Sequence, residues 1–342
     1  MTDAMMRRAL ETLVSGEDLD VATARGAMDT IMEGTATPAQ MAAFLVGLRA
    51  KGASVDEVFG MVESMREHGT RVELDVAAVD TCGTGGDGTG TFNISTAAAL
   101  VVAGAGFPVA KHGNRAASSR CGSADVLEAL GVAISLPPAG VVACVESAGM
   151  GFLYAPAYHP AMRHVAPVRR ELGFRTVFNF LGPLTNPARV RHQTIGVADA
   201  TMAPVIAEVL HRLGHRKALV FTGPDGVDEL GVSGTAAAFE VTPDGVRRQT
   251  VDPRDVGFEP AAPAQLRGGD ATDNARTVLA VLDGEHGAAR NVVVLNAAAA
   301  LVVVGADPNI AQAVPRAAEA IDSGAARARL AALVDVSNHT WA

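Results

Sequence analysis

The sequence has few aromatic residues, few cysteines and no long apolar run. Phenylalanine, tryptophan and tyrosine make up 4% of the 342 residues, which argues against a base-stacking platform for single-stranded nucleic acid. Cys82, Cys121 and Cys144 form neither a C-x-x-C pair nor an even disulfide set. We therefore interpret them as reduced thiols, expect no zinc site, and expect a cytoplasmic location.

Positive charge is also scarce. The formal net charge is -9, whereas a general nucleic-acid binder needs a broad basic face. The longest apolar runs, 97–105 and 296–304, are too short to cross a membrane. The acidic residues Asp3 and Glu11 argue against an N-terminal targeting signal. We expect neither nucleic acid nor membrane as a partner.

The pattern of apolar and capping residues indicates a small helical domain at the N-terminus, over residues 1–72. Apolar residues recur there at spacings of three and four. Thr37-Pro38-Ala39-Gln40 and Ser54-Val55-Asp56-Glu57 are capping boxes, so we expect four short helices. These four helices carry more apolar residues than they could bury among themselves. This predicts that they pack against other helices, from about residue 160 to 182, or against a second copy of the chain.

Residues 73–342 show a different pattern, in which short apolar or β-branched runs alternate with helical stretches. This alternation predicts an α/β domain with a mainly parallel central sheet. We expect Ala236 to Pro263 to form antiparallel strands and Met162 to Asn179 to be helical. The runs that we interpret as strands are Val76 to Asp80, Pro108 to Lys111, Lys217 to Thr222 and Asn291 to Leu295.

The glycine-rich stretch Gly83-Thr84-Gly85-Gly86-Asp87-Gly88 satisfies the pattern G-x-G-x-x-G of dinucleotide-binding folds. It lacks the rest of that fingerprint, because no helix begins at the third glycine and the next predicted strand ends in Lys111 rather than in an acidic residue. No Gly-Lys-Ser/Thr follows, which also excludes a nucleotide P-loop. Bare backbone amides followed by the start of a helix at Asn93 indicate a cradle for a phosphate-rich anion.

Three further segments carry groups suited to a phosphorylated substrate. Lys111 to Asp125 places cations, an amide, hydroxyls and glycines directly after a strand. Asp228 and Glu229 are adjacent carboxylates after an apolar strand, and such oxygen ligands suit magnesium. Arg169 and Arg170 lie about 100° apart on one helix, so we expect only one of them to face a cleft.

Taken together, the motifs resemble the anthranilate phosphoribosyltransferase family over nearly the whole chain. Each motif alone is weak evidence, but their order and spacing are specific. The matching segments are Gly83-Thr84-Gly85-Gly86-Asp87, Asn93-Ile94-Ser95-Thr96, Lys111-His112-Gly113-Asn114-Arg115, Asn179 to Pro187, Asp228-Glu229 and Asn296-Ala297-Ala298.

The resemblance implies a nucleoside phosphorylase/phosphoribosyltransferase-like fold, a homodimer formed through the helical domain, and magnesium as cofactor. It implies transfer of the phosphoribosyl group of 5-phosphoribosyl 1-pyrophosphate to anthranilate in tryptophan biosynthesis. The implied magnesium ligands are Ser95, Asp228 and Glu229, and the implied anthranilate contacts are Gly83, His112, Asn114 and Arg169. The implied phosphoribosyl pyrophosphate site comprises Gly83, Thr84, Gly85, Gly86, Asp87, Thr91, Asn93, Ile94, Ser95, Thr96, Lys111, His112, Gly113, Asn114, Arg115, Ala116, Ala117, Ser118, Ser119 and Ser123.

Two questions stay open on the sequence. His112 is either a base or a plain hydrogen-bonding residue. The function has two alternatives, a pyrimidine-nucleoside phosphorylase that runs a similar displacement, and a nucleic-acid-binding relative with the same fold. Phosphorolysis of thymidine or uridine would reveal the first, and a salt-dependent shift with DNA would reveal the second. An NAD-dependent dehydrogenase is excluded by the helix start and by Lys111.

Overall fold

The structure is a computed structural model that describes residues 2–116 and 120–341. The chain begins with four helices, as predicted. Both capping boxes are present, at Thr37 with Gln40 and at Ser54 with Glu57, and each satisfies amides at a helix start. The four helices are α1 (Thr2–Val14), α2 (Val21–Met32), α3 (Pro38–Lys51) and α4 (Val55–His68).

A sheet of seven strands follows, in the spatial order β3-β2-β1-β4-β5-β6-β7. The first five strands in this order run parallel, and β6 and β7 form an antiparallel pair. The mainly parallel sheet is therefore confirmed. The antiparallel strands expected over Ala236 to Pro263 are confirmed only as far as Val251, because a short 3-10 turn at Pro253–Val256 follows. The strands are β1 (Val79–Gly83), β2 (Val109–Gly113), β3 (Met150–Tyr154), β4 (His192–Gly196), β5 (Lys217–Thr222), β6 (Ala236–Thr242) and β7 (Gly245–Val251).

Helices cover the sheet. They are α5 (Ile94–Gly104), α6 (Ser123–Ala129), α7 (Pro138–Ala148), α8 (Ala155–Tyr158), α9 (Ala166–Leu172), α10 (Phe178–Leu184), α11 (Ala203–Arg212), α12 (Ala271–Leu282), α13 (Ala288–Val303), α14 (Ile310–Asp322) and α15 (Ala325–Ser337).

Three strand predictions need correction. Asn291 to Leu295 is not a strand but part of the buried helix α13. The error arises because a short, mostly apolar run has the same pattern in a buried strand and in a buried helix. The run predicted at Val76 to Asp80 begins three residues later, at Val79, and the run predicted at Pro108 to Lys111 extends to Gly113. Lys217 to Thr222 is β5 with the predicted bounds.

The chain returns to the N-terminal helices before β4. The predicted helical stretch from Met162 to Asn179 is broken at Gly173, whose φ of 67° ends α9. Val165 and Phe178 pack in one apolar cluster with Phe44, and this cluster continues into α11 and one face of the sheet. The division into domains at residues 72 and 73 stays a prediction.

None of the helices in the described part of the chain combines the length and apolar character that a membrane crossing requires.

Candidate functional site

The carboxyl ends of the parallel strands bring the predicted site segments together. Gly83 at the end of β1 pairs in register with Gly196 at the end of β4, and Thr222 ends the neighbouring β5. Loops that follow parallel strands meet at one end of the sheet, where α/β proteins bind their ligands. We call this the carboxyl end of the sheet.

The glycine loop after β1 is shaped by backbone conformations that favour glycine. Gly85 and Gly86 have φ angles of 70° and 72°, in the left-handed region that side chains disfavour. Gly83 lies against an acidic side chain, because a Cβ placed there would be 2.3 Å from Oδ2 of Asp228. The amide of Gly85 donates a hydrogen bond of 2.6 Å to the same oxygen. The loop and the acidic residue therefore hold each other in place.

Asp228 and Glu229 form an acid pair, in which Glu229 is buried and Asp228 is half-buried. Burial first, and then the neighbouring charge of Asp87, raise the pKa of Asp228, while burial and the charge of Asp228 raise the pKa of Glu229. Asn296 on α13 braces this loop, since its side chain accepts from the amide of Leu230 at 3.1 Å and donates to its carbonyl at 2.9 Å. Raised pKa values in adjacent carboxyls are typical of a site that gathers negative charge for a cation.

Lys111 on β2 connects the acid pair to the start of α5. Its side chain is 1% exposed. The ammonium group donates to the carbonyl of Thr81 and to Oγ of Ser95, the latter at 3.3 Å. The amide of Ser95 donates to Oε1 of Glu229 at 3.1 Å. Ser95, Lys111 and Glu229 thus form one network of charge-assisted hydrogen bonds.

The other residues around the start of α5 serve partly structural roles. Asn93 accepts a hydrogen bond of 2.9 Å from Asn274 and donates one of 3.3 Å to the carbonyl of Cys121. The side chains of Ile94 and Thr96 are buried, so these residues offer only backbone groups to a ligand. Thr91 pairs with Arg267 in an isolated bridge.

The loop after β2 is organised by Asp125, a residue without a predicted role. Its Oδ2 accepts from the amides of Ala116 at 3.0 Å and Gly122 at 2.8 Å. Arg115 donates to Asp125 at 2.9 Å and forms an ion pair with Glu128, so it is held on the protein surface.

Asn114 and Ser123 lie at the two ends of the same loop, directly after β2 and at the start of α6. Asn114 is exposed, and its carbonyl accepts a hydrogen bond of 3.3 Å from the hydroxyl of Ser123. The predicted ligand contacts Ala117, Ser118 and Ser119 lie outside the described residues.

His112 is buried and electrically neutral. Its Nδ1 lies 3.1 Å from the carbonyl of Gly182, which requires Nδ1 to carry the proton. Burial first, and then the neighbouring His159, lower the pKa of His112 to about 3. Its Nε2 has no hydrogen-bond partner within residues 2–116 and 120–341. A histidine with this pKa is a weak base but remains a hydrogen-bond acceptor.

Arg169 and Arg170 differ in exposure, as their positions about 100° apart on one helix predict. Arg169 is partly buried against the ring of Phe178, whose centre lies 5.4 Å from the guanidinium carbon, and Arg170 is exposed. Burial lowers the pKa of Arg169. Within the described ranges no carboxylate pairs with Arg169, so this guanidinium is available to an anionic ligand.

Arg175 is a residue of the site that the sequence analysis missed. Its guanidinium donates to the carbonyls of Gly85 and Gly86, at 2.9 and 2.8 Å, and its carbon lies 5.6 Å from the centre of the Phe180 ring. The contact spans 89 residues of sequence and only the fold creates it. The sequence does carry one signal for this residue, because Arg175 follows Gly173, which ends a helix beside the predicted cleft. No motif in the sequence, however, connects Arg175 with the glycine loop.

The donor set fits a magnesium ion. Mg²⁺ prefers oxygen ligands, is commonly held by one or two carboxylates, and keeps water or substrate phosphates as its remaining ligands. Asp228 and Glu229 offer carboxylate oxygens and Ser95 a nearby hydroxyl. In the part of the chain that the structure describes, no group of three or more His, Cys, Asp or Glu side chains could hold a metal ion, so water or a phosphorylated substrate would supply the remaining ligands.

Comparison with known proteins identifies the family. Residues 75–327 match the α/β domain of the glycosyl transferase family, and residues 7–69 match its helical bundle domain. The anthranilate phosphoribosyltransferase of Thermomicrobium roseum is 54% identical over 339 residues, which are 98% of this chain and 97% of that protein. The chain belongs to the anthranilate phosphoribosyltransferase family.

Solved structures agree with this assignment. The anthranilate phosphoribosyltransferase of Thermus thermophilus superposes with a TM-score of 0.92 at 42% identity, covering 97% of this chain and 99% of that one. The enzyme of Saccharomyces cerevisiae in complex with PRPP and Mg gives a TM-score of 0.89 at 26% identity, covering 98% of each chain. The family resemblance and the fold class predicted from the sequence are confirmed, and the roles of individual site residues stay predictions.

Proposed function

We propose that the protein transfers the phosphoribosyl group of 5-phosphoribosyl 1-pyrophosphate to the amine of anthranilate, giving N-(5-phosphoribosyl)anthranilate and pyrophosphate, in tryptophan biosynthesis. The observation that carries this function is the contact between the glycine loop and the acid pair, with the Gly85 amide 2.6 Å from Asp228. Membership of the anthranilate phosphoribosyltransferase family supports it.

The reaction places electrostatic demands on the site. When pyrophosphate leaves the anomeric carbon, positive charge develops on the ribose and negative charge on the leaving group, so stabilisation of charge matters more than a nucleophilic side chain. We assign the glycine loop 83–87, the start of α5 at 93–96 and the loop after Lys111 to the phosphoribosyl pyrophosphate. Lys111 is held within reach of Ser95 and supplies a fixed positive charge.

The acid pair and Ser95 are the proposed magnesium ligands. Magnesium, when bound, neutralises the negative charge that builds on the pyrophosphate. Asp228 and Glu229 are fixed for this by backbone amides of Gly85 and Ser95, at 2.6 and 3.1 Å.

The proposed anthranilate contacts are Gly83, His112, Asn114 and Arg169. A partly buried arginine that has no carboxylate partner among the described residues suits the carboxylate of anthranilate. Asn114 would orient the ring so that its amine faces the anomeric carbon. The neutral His112 has a buried Nε2 acceptor without a partner among the described residues, so we assign it hydrogen bonding rather than strong base catalysis. An arylamine already carries a free lone pair and needs no strong base before attack.

Arg175 is proposed as a positioning residue. It reaches the glycine loop from the segment between α9 and α10 and donates to two loop carbonyls. These hydrogen bonds favour the conformation in which the loop amides point away from the arginine. The effect on the reaction would pass through the loop rather than through direct contact with the reacting atoms.

The quaternary state and the location are further parts of the proposal. We expect a homodimer formed through the N-terminal helices, because Val14 on α1 and Val46 on α3 are 90% and 42% exposed on two helices that pack together. Sedimentation of the purified chain would test this. We expect a cytoplasmic enzyme because Cys82, Cys121 and Cys144 are reduced thiols, and cell fractionation would test it.

The first experiment mixes the purified protein with anthranilate, phosphoribosyl pyrophosphate and magnesium, and follows the loss of anthranilate fluorescence. We expect a loss that requires both the sugar donor and magnesium. Reactions that lack one component at a time are the controls. No loss from a well-folded protein, together with phosphorolysis of thymidine or uridine, would overturn the proposed function in favour of a nucleoside phosphorylase.

A further inference from the structure

A second concentration of charge lies at the opposite end of the sheet, where β1, β4 and β5 begin. Arg66 lies near the end of α4, Arg189 and Arg191 lie in the connection from α10 to β4, and Arg216 directly precedes β5. We call these four residues the arginine cluster. A strand of five residues spans about 16 Å, so the cluster is separated from the candidate active site by the length of the sheet.

The cluster borders a cavity of about 230 Å³. Arg189, Arg191, Arg216 and His192 line it on the polar side, and apolar side chains that include Val76 line the other. The cavity therefore presents several guanidinium groups next to a small apolar surface.

The hydrogen bonds of these arginines go to backbone groups rather than to carboxylates in the part of the chain that the structure describes. Within residues 2–116 and 120–341, none of the four forms an ion pair. Their hydrogen bonds go to backbone carbonyls, from Arg66 to Leu184 at 2.9 Å, from Arg189 to Arg66 at 3.0 Å and from Arg191 to Gly214 at 3.3 Å.

Glu63 and Glu73 each lie close to another arginine. Glu63, which acts on the charge of Arg66, lies 3.9 Å from Arg25, and Glu73 lies 3.5 Å from Arg71. A cluster of four arginines that forms no ion pair with any described residue is unusual in a chain with a formal net charge of -9.

The positive charges act on one another. Burial and then the charge of Arg189 lower the pKa of Arg66 to about 10. Burial and then Arg66 lower the pKa of His215 to about 3, and burial and then Arg216 lower the pKa of His192. Both histidines are therefore neutral at pH 7 and add no charge. Repulsion among cations is offset when an anion binds between them.

We propose that the arginine cluster binds a phosphate group, either inorganic or carried by a small organic molecule, at a site separate from the active site. Guanidinium groups match phosphate oxygens with paired hydrogen bonds, and a multivalent anion gains more from several arginines than a monovalent one. The cavity volume of about 230 Å³ is large enough for a phosphate group or a small phosphorylated molecule.

Titration calorimetry in chloride buffer tests this site with inorganic phosphate, pyrophosphate and ribose 5-phosphate as probes. The proteins are the unmodified chain, Arg216→Glu, and the matched control Arg248→Glu, which makes the same charge change at an exposed position of β7. Binding at the active site is common to all three proteins and cancels in the comparison. A milder variant, Arg216→Gln, covers the case in which Arg216→Glu does not fold.

We expect Arg216→Glu to weaken one class of phosphate sites by about tenfold or more, whereas Arg248→Glu leaves it unchanged. Turnover should be unchanged in both variants. Binding of all three probes would show that the phosphate group suffices, and binding of ribose 5-phosphate alone would assign the site to an organic phosphate. Equal binding of every probe to the unmodified chain and to both Arg216 variants would overturn the proposal, as would binding to duplex DNA that depends on Arg216 without any such phosphate binding.

Discussion

One end of the sheet carries an acid pair and the other end carries the arginine cluster, and the protein holds these two groups in different ways. At the carboxyl end, Glu229 is buried and Asp228 is half-buried, and backbone amides fix their carboxylates. At the amino end, three of the four arginines are exposed, and in the described part of the chain the cluster donates its hydrogen bonds to backbone carbonyls. Buried charges in fixed geometry suit catalysis, because little reorganisation is needed. Exposed charges suit reversible anion binding that weakens with added salt.

The largest effect should come from removal of the acid pair. The double substitution Asp228→Ala and Glu229→Ala should reduce turnover by about 10²-fold or more, because losing even one group that stabilises transition-state charge costs that much. Steady-state rates at several magnesium concentrations measure it. The matched control is Asp244→Ala with Glu259→Ala, two exposed acids. Near-normal turnover of the acid-pair variant at limiting magnesium would contradict the metal role.

A smaller effect at the same end should separate two neighbouring arginines. Arg169→Ala should raise the KM for anthranilate by about 10- to 100-fold, the usual range for a lost charged hydrogen bond. Arg170→Ala is the matched control, because it removes the same side chain from an exposed position of the same helix. Initial rates with anthranilate varied measure both. Equal effects of the two substitutions would show that Arg169 does not bind the substrate.

Substitution of Arg175 tests whether the geometry of the glycine loop matters for binding of phosphoribosyl pyrophosphate. Arg175→Ala should raise the KM for phosphoribosyl pyrophosphate by about tenfold, since two hydrogen bonds to the glycine loop are lost. The KM for anthranilate should stay nearly constant, and Arg175→Lys should restore part of the loss. The exposed Arg163, substituted by Ala, is the control. A rise in both KM values to the same extent would indicate a general structural role instead.

The smallest effect on turnover is expected at the amino end. Arg216→Glu should leave the rate within about twofold of the unmodified chain, whereas the rise in melting temperature on adding phosphate should shrink, because a ligand stabilises only the state that binds it. Thermal unfolding with phosphate at low and high sodium chloride measures this. If Arg248→Glu shrinks the rise equally, the effect comes from net charge and not from the cluster.

Local chemistry predicted much of the architecture. The capping box at Ser54 begins α4 where expected, since a side chain and a backbone amide three residues apart need no distant partner. The run Lys217 to Thr222 is β5 with its predicted bounds. The run Asn291 to Leu295 was assigned wrongly, and β3 and β4 were not predicted, because burial on all sides removes the periodicity that separates a strand from a helix.

The motifs of the sequence by themselves determined the family, the types of fold and the candidate ligands. The reason is that glycines, paired acids and capping residues act through groups that lie within a few positions of one another in the chain. Only the tertiary structure decided which distant groups meet. The strand order places Gly83 against Asp228, brings Arg175 to the glycine loop, and gathers Arg66, Arg189, Arg191 and Arg216 at the other end of the sheet. Such contacts depend on how strands and helices pack, which no short stretch of sequence specifies.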